Sequence, residues 1–347
     1  MLSITKKSVA LMSAVTLLGL TGCGNTNEKV QSGMQAISEL QYENALTLFE
    51  EAQAASENER LIARGRGIAY MGLTDYENAI ACFTESLKAS DGFLESVDYD
   101  LNFYLAAAYT KNGQYAEAEA VYDAILALKN DEDAYFLRGN ARIAQDKFDL
   151  AKEDFDRVAS MDPNNFDRLI EIYEIMAAAG YRVAGEEYLQ NALTNGGSKL
   201  DSFDSGRIYF YLGEYQKAAA ELEKSREKGG ADSYLYLGKS YEATGDFNYA
   251  ASVYSSYLAK DTSDARIYNQ LGLCELARGE YAQALDSFQS GMKIEDNRVM
   301  QSLSFNEIVA YEYLGEYQKA AVLLENYLKS YPDDETAKRE QVFLSTR

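Results

Sequence analysis

One nine-residue segment, YLGEYQKAA, occurs twice in the chain, at Tyr211–Ala219 and again at Tyr313–Ala321, 102 residues further on. It belongs to a wider repeat with the pattern G-x-[YF]-x-x-A. Aligned on the final residue of that pattern, the positions are Ala45, Ala79, Ala118, Ala151, Gly185, Ala218, Ala250, Ala284 and Ala320. The steps between them are 34, 39, 33, 34, 33, 32, 34 and 36 residues. Three residues earlier stands an aromatic in every register (Tyr42, Tyr76, Tyr115, Phe148, Tyr215, Phe247, Tyr281, Tyr317) except that of Gly185, where Arg182 occurs. Four residues later stands a large apolar side chain: Phe49, Phe83, Tyr122, Phe155, Leu189, Leu222, Tyr254, Phe288 and Leu324. Twelve residues earlier a small residue recurs, at Gly33, Gly67, Ala106, Gly139, Gly206, Gly238 and Gly272.

A pattern kept in register this often builds the same local unit again and again. Only 2 residues are Pro, and Ala, Leu, Glu and Lys are abundant, so the unit is helical. Its length suits two helices. Gly213 and Gly315 are placed to end a first helix in the left-handed conformation, and Tyr215 and Tyr317 to begin a second. Small residues at the aligned Gly and Ala positions allow close helix approach, and the aromatics around that Ala fill the space between units. A lone helical pair cannot bury both faces, so the units must stack. Cys82 and Cys274 fall inside these helices and read as small buried hydrophobes. The long step predicts an insertion around Ser90 to Ser96, and the register at Gly185 reads as degenerate, a joint or simple drift.

The best single unit, SYLYLGKSYEATGDFNYAASVYSSYL from Ser233, resembles the tetratricopeptide repeat family. The resemblance implies an all-α, right-handed superhelical solenoid of about nine helix-turn-helix units over residues 28–333, with a C-terminal capping helix and tail at 334–347. It also implies a concave groove lined by first helices that takes a protein or peptide. Counted from the aligned Gly, its positions here include Phe103, Tyr104, Phe136, Leu137, Asn140, Phe203, Asp204, Phe210, Tyr211, Leu235, Tyr236, Lys239, Asn269, Gln270, Phe305, Asn306 and Tyr313. Rings interleaved with amides suit an extended or helical ligand. The family's Lys/Asn clamp for a C-terminal carboxylate is missing: the matching pairs are Arg64 with Ile68, Phe103 with Ala107, and Asn269 with Leu273.

Ahead of the repeats, Lys6 and Lys7 precede an apolar run from Ser8 to Leu20, the layout of a signal peptide over residues 1–22. Leu20-Thr21-Gly22-Cys23 resembles the bacterial lipobox. That resemblance implies cleavage before Cys23, a diacylglycerol thioether on Cys23, and a short tether over residues 23–27. The expected location is the extracytoplasmic face of a cell membrane, with a single-membrane, Gram-positive envelope favoured because Gly24 and Asn25 follow Cys23. In a two-membrane cell the expectation becomes the periplasmic face of the outer membrane, assisting envelope assembly or recruiting cell-wall hydrolases.

Composition narrows function. The formal net charge is −22, which repels nucleic acid phosphates and steers a basic partner inward. There is no His, and three Cys (Cys23, Cys82, Cys274) match no zinc spacing, so neither a metal, a cofactor nor a catalytic set is expected. Gly65 and Gly67 follow no strand and make no phosphate loop, and the acids after Asn130 read as a helix N-terminus. A solute-binding lipoprotein remains as an alternative of another class, although it needs two α/β lobes. The favoured reading is a membrane-anchored scaffold or adaptor and not an enzyme.

Overall fold

The computed structural model describes residues 27–90, 96–295 and 297–347. The leader, Cys23 and most of the expected insertion around Ser90 to Ser96 lie outside these residues. Among the described residues there are 19 α-helices, one short 3₁₀ turn at Gly197–Lys199 and no strand. The chain divides into two compact units between Tyr188 and Leu189.

The first unit runs through α1 (Glu28–Ser38), α2 (Tyr42–Ala54), α3 (Glu59–Gly72), α4 (Tyr76–Lys88), α5 (Ser96–Lys111), α6 (Tyr115–Leu128), α7 (Glu132–Ile143), α8 (Phe148–Met161) and α9 (Phe166–Ala178). The division falls inside α10 (Arg182–Asn195), within the repeat that reads as degenerate. The second unit continues through α11 (Ser202–Tyr211), α12 (Tyr215–Ser225), α13 (Gly230–Ala243), α14 (Phe247–Leu258), α15 (Ala265–Ala277), α16 (Tyr281–Met292), α17 (Met300–Tyr313), α18 (Tyr317–Ser330) and α19 (Glu335–Leu344). Odd-numbered helices up to α17 are the first of each pair. Within each unit they also touch their counterparts in the next pair: α1 with α3, α3 with α5, α7 with α9, α11 with α13, α13 with α15, and α15 with α17. First helices therefore lie side by side from α1 to α5 and from α7 to α9 in the first unit, and from α11 to α17 in the second.

The aligned positions explain the pairing. Every Ala of the repeat, from Ala45 to Ala320, is fully buried. A Cβ placed on Gly33, Gly67, Gly139, Gly206, Gly238 or Gly272 would lie 2.2 to 2.7 Å from the large side chain four residues beyond that Ala, which is inside atomic contact. The absent Cβ is thus the space into which Phe49, Phe83, Phe155, Leu222, Tyr254 and Phe288 insert. Phe49 also fills the space over Gly65 of the next pair, and Tyr42 that over Gly72. These aromatics pack both within and between pairs, where the sequence suggested only the latter. In the degenerate repeat Tyr173 occupies the small position of α9, Gly185 replaces the Ala of α10, and Leu189 keeps the large position, fully buried. A Cβ at Gly185 would sit 3.2 Å from the Tyr173 backbone.

Each first helix ends in the same turn. The residue five before the aligned Ala has positive φ in all nine repeats: Leu40, Thr74, Gly113, Asp146, Gly180, Gly213, Gly245, Gly279 and Gly315. The following N–H reaches back to the carbonyl five residues earlier, as in Glu214 to Tyr209 and Glu316 to Tyr311, both at 2.9 Å. This closure satisfies a carbonyl that the helix end would otherwise orphan. At the opposite ends, Asn58, Asp131, Asn165, Asp201, Asp264 and Asp334 accept first-turn N–H bonds, which places the acids after Asn130 at a helix start. The first helix is capped from a distance instead: the buried Glu57 accepts from the N–H groups of Lys29 and Val30 at 3.0 and 2.9 Å.

Charge is paired where it is buried. Burial alone would raise the Glu119 carboxyl of α6, but hydrogen bonds from Lys147, Arg142 and Gln145 outweigh it and hold it at about 2. Asp154 of α8, which is 2% exposed, takes Arg138 at 2.6 Å and Arg142 at 2.9 Å, tying α7 to α8. At the C-terminal end the arrangement is opposite. Glu312 of α17 has a buried Oε1 with no hydrogen bond. Burial, and then the Glu340 carboxyl of α19, push it up to about 7.

Two predictions follow from these ends. A left-handed non-Gly residue costs about 1–2 kcal/mol, so Thr74→Gly should raise stability and Gly213→Ala lower it by roughly that amount in urea melts. Equal and near-zero effects would contradict the shared turn. A carboxyl raised on folding stabilises the fold at low pH and loses that contribution as pH rises from 4.5 through about 7. Hydrogen exchange in α19 should therefore be slower at pH 5 than at pH 8 after correction for the intrinsic rate, and Glu312→Gln should remove most of that difference.

Candidate functional site

The expected groove residues lie on the first helices, but they do not share one environment. In the first unit Tyr104 is buried and stacks on Phe83 at 5.4 Å, with the Arg64 guanidinium over its ring at 5.6 Å. Phe136 is buried against Phe155, and Arg168 sits 4.0 Å from its centroid. Phe103 and Asn140 are half-buried, Phe103 beside Tyr122. Cations along these helices are engaged by acids: Arg60 by Asp98, Arg64 by Asp100, and Arg168 by Asp133 and Glu171. Arg64, at the position of the family's clamp, is thus paired within the protein.

In the second unit the candidates gather in two places. Phe210 meets Tyr236 edge-on at 5.4 Å and Tyr215 at 5.6 Å, while the hydroxyls of Tyr211 and Tyr236 lie 3.1 Å apart. Phe203 is half-buried under Arg207, 4.7 Å from its centroid, and Lys239 is half-buried on α13. Tyr313 instead stacks on Tyr281 at 4.8 Å and is 59% exposed.

The second place is a cleft of about 360 Å³ between α15, α17, α18 and the start of α19. It brings together three expected residues, Asn269, Phe305 and Asn306, with Leu273, Gln301, Ser302, Tyr327, Asp334 and Thr336. Its hydrogen bonds form a directed chain. Glu242 of α13 accepts from the Tyr254 hydroxyl and from Gln270 Nε2 at 3.3 Å. A carboxylate only accepts, so the Gln270 amide is turned with its nitrogen towards Glu242. Its carbonyl then accepts from Asn269 Nδ2 at 3.2 Å, and Asn269 Oδ1 accepts from Asn306 Nδ2 at 2.9 Å. Burial, and then Glu242, raise the Tyr254 phenol, which keeps it a donor.

At the far side of the cleft Asp334 accepts from Tyr327 Oη at 2.6 Å, from the N–H groups of Thr336 and Ala337 at 3.0 Å, and distantly from Gln301 at 3.4 Å. The Tyr327 hydroxyl and the Ala337 N–H hold its carboxyl below the usual range. Burial, and then Asp334, push the Tyr327 phenol up to about 12. Gln301, Tyr327 and Asp334 escaped sequence reading: Gln301 lies on the first helix α17 but off the counted groove positions, and Tyr327 and Asp334 lie beyond first helices altogether. The seven residues between Tyr327 and Asp334 span a helix end, which no single-helix period connects.

Neither described thiol belongs to a site. Cys82 and Cys274 are free and buried, and burial raises both. Among the described residues no three His, Cys, Asp or Glu side chains gather as metal ligands, and no helix is long and apolar enough to cross a membrane. In a Cys23→Ala chain, a thiol reagent at pH 8 should label neither Cys82 nor Cys274 until denaturant is added. Rapid native labelling of either would contradict their burial.

Comparison with known proteins agrees with this architecture. Models described as "Tetratricopeptide repeat" match residues 64–135, 203–265 and 237–293, a further one matches 132–165, and another matches 305–334. Human RNA polymerase II-associated protein 3 is 27% identical over 190 residues, spanning 50% of this chain and 28% of that protein. DnaJ homolog subfamily C member 3 from Gallus gallus is 24% identical over 301 residues, 85% of this chain and 55% of its own length. The chain thus spans about half, or less, of these relatives. Among solved structures, a tetratricopeptide repeat protein from Parabacteroides merdae has 13% identity and a TM-score of 0.47, over 73% of this chain and 98% of that one. YrrB, described as a repeat protein with an unusual peptide-binding site, has 22% identity and a TM-score of 0.40, over 50% and 87%. Together the repeat models cover more than half of the chain, from α3 to α18, and the protein belongs to the tetratricopeptide repeat family.

Proposed function

We propose that this protein is a lipid-anchored scaffold on the extracytoplasmic side of a bacterial membrane, and that it holds a protein or peptide partner against the first helices of its second unit. The observation that carries the binding half is the cleft at Asn269, Phe305 and Asn306. There, rings and amides of α15, α17 and α18 face one space of about 360 Å³. Rings supply area at little entropic cost, and the amides supply directed hydrogen bonds. The anchoring half rests on the sequence Leu20-Thr21-Gly22-Cys23 after its apolar run. The net charge of −22 supports a partner with a basic surface.

Two measurements test the two halves separately. Radioactive palmitate should label the wild-type chain in bacterial cells and not Cys23→Ala; label retained by the variant overturns the anchor. A photocrosslinking amino acid in place of Phe305 should trap one defined partner, and the same group in place of the exposed Val183 should not. Equal, diffuse crosslinking from both positions overturns the cleft as the recruiting surface.

A further inference from the structure

The amide chain ending at Asn306 has a polarity, and that polarity assigns a ligand chemistry. Glu242 fixes Gln270, Gln270 fixes Asn269, and Asn269 Oδ1 takes the Nδ2 of Asn306. Each link spends one amide hydrogen, and because the Asn306 nitrogen is turned towards Asn269, its carbonyl oxygen takes no bond within the chain and stands as an acceptor beside one remaining N–H. Gln301, earlier on the same helix α17, repeats the arrangement towards Asp334. Its nitrogen donates to Tyr327 Oη at 3.2 Å and to Asp334 at 3.4 Å, and its carbonyl is left over. Asp334 adds a formal negative charge, and no Lys or Arg lines the space. Phe305 and Tyr327, whose ring centroids are 5.6 Å apart, supply aromatic faces beside these acceptors.

We propose that the cleft takes a cationic side chain, the ammonium of lysine or the guanidinium of arginine, presented by an extended peptide segment. A cation brings only donors, and the cleft offers carbonyl oxygens, a carboxylate and two rings, the set that desolvates such a group with least loss. Asp334 remains ionised well into the acid range because Tyr327 and the start of α19 stabilise its charge. The rest of the surface is acidic as well, which raises the local concentration of basic segments. This polarity is the reverse of a site for a peptide's C-terminal carboxylate. The inference rests on the reading of the cleft as a peptide site and adds the identity of the anchoring group.

The test is a selection of displayed random peptides on the full chain, with Asn306→Leu as the counter-selection. Peptides that need Asn306 should share a lysine or arginine at one position. Replacing that lysine with acetyl-lysine, or that arginine with citrulline, should weaken binding about tenfold or more, the scale of one charge-assisted hydrogen bond. Asp334→Asn should weaken binding by a similar factor and flatten its salt dependence, and it keeps a side-chain acceptor for α19. A matched thermal melt separates this from loss of the helix. If the selected peptides need Asn306 but carry no common cation, or bind equally well once neutralised, the cationic anchor is wrong and the peptide site stands. If no selected peptide distinguishes Asn306→Leu from wild type, both are wrong.

Discussion

The structure depends on one contact repeated along the chain: in six of the nine first helices, a glycine without a Cβ whose space is filled by a large side chain from the second helix. At Gly238 the added carbon would lie 2.2 Å from the Tyr254 ring, so the two helices can approach only because that carbon is missing. The cost of glycine inside a helix, about 1 kcal/mol relative to alanine, is set against full burial of a ring or a leucine, worth roughly 1.5–3 kcal/mol. The same side chain then reaches the next pair, as Phe49 does at Gly65. Pairing and stacking are thus one event, which is why a short pattern can specify a long array.

Much of this was legible in the sequence because the joint is local. Gly272 and Phe288 are 16 residues apart, and their spacing recurs, so periodicity alone registers the helices. The left-handed turn was legible at Gly213 and Gly315 and hidden at Leu40, Thr74 and Asp146, where the same φ is imposed on residues that do not favour it. There the backbone closure, and not the residue, decides the conformation. The repeat at Gly185 looked degenerate because a large Tyr173 stands at the usual small position, with Gly185 in place of the Ala opposite it, while Leu189 keeps the large position; a fixed pattern counts both changes as errors, although Tyr173 and Gly185 still pack closely.

The candidate site was legible only in part. Asn269, Phe305 and Asn306 were found by counting along first helices, and they do line one cleft. Tyr104 and Phe136 were found by the same count, yet both are buried against rings of their own stack. Counting gives the face of a helix; it does not give how deep the neighbouring helix sits. Nor does it reach Tyr327 and Asp334, which enter from a second helix and from the turn that follows it. The polarity of the amide chain was beyond any sequence reading, because it is set by Glu242 on a helix one pair earlier.

The joint therefore positions the site: the contact at Gly272 and Phe288 locks α15 to α16, and α15 carries Asn269 into the cleft. A double-mutant cycle on this pair tests the account most directly. Gly272→Ala should destabilise the protein by about 1–3 kcal/mol, as overpacking does. Combined with Phe288→Leu, which makes room for the added carbon, it should cost less than the sum of the two single changes, with a coupling of about 1 kcal/mol or more. Strictly additive costs, or a Gly272→Ala protein as stable as wild type, would contradict the claim that the missing carbon is what joins the helices.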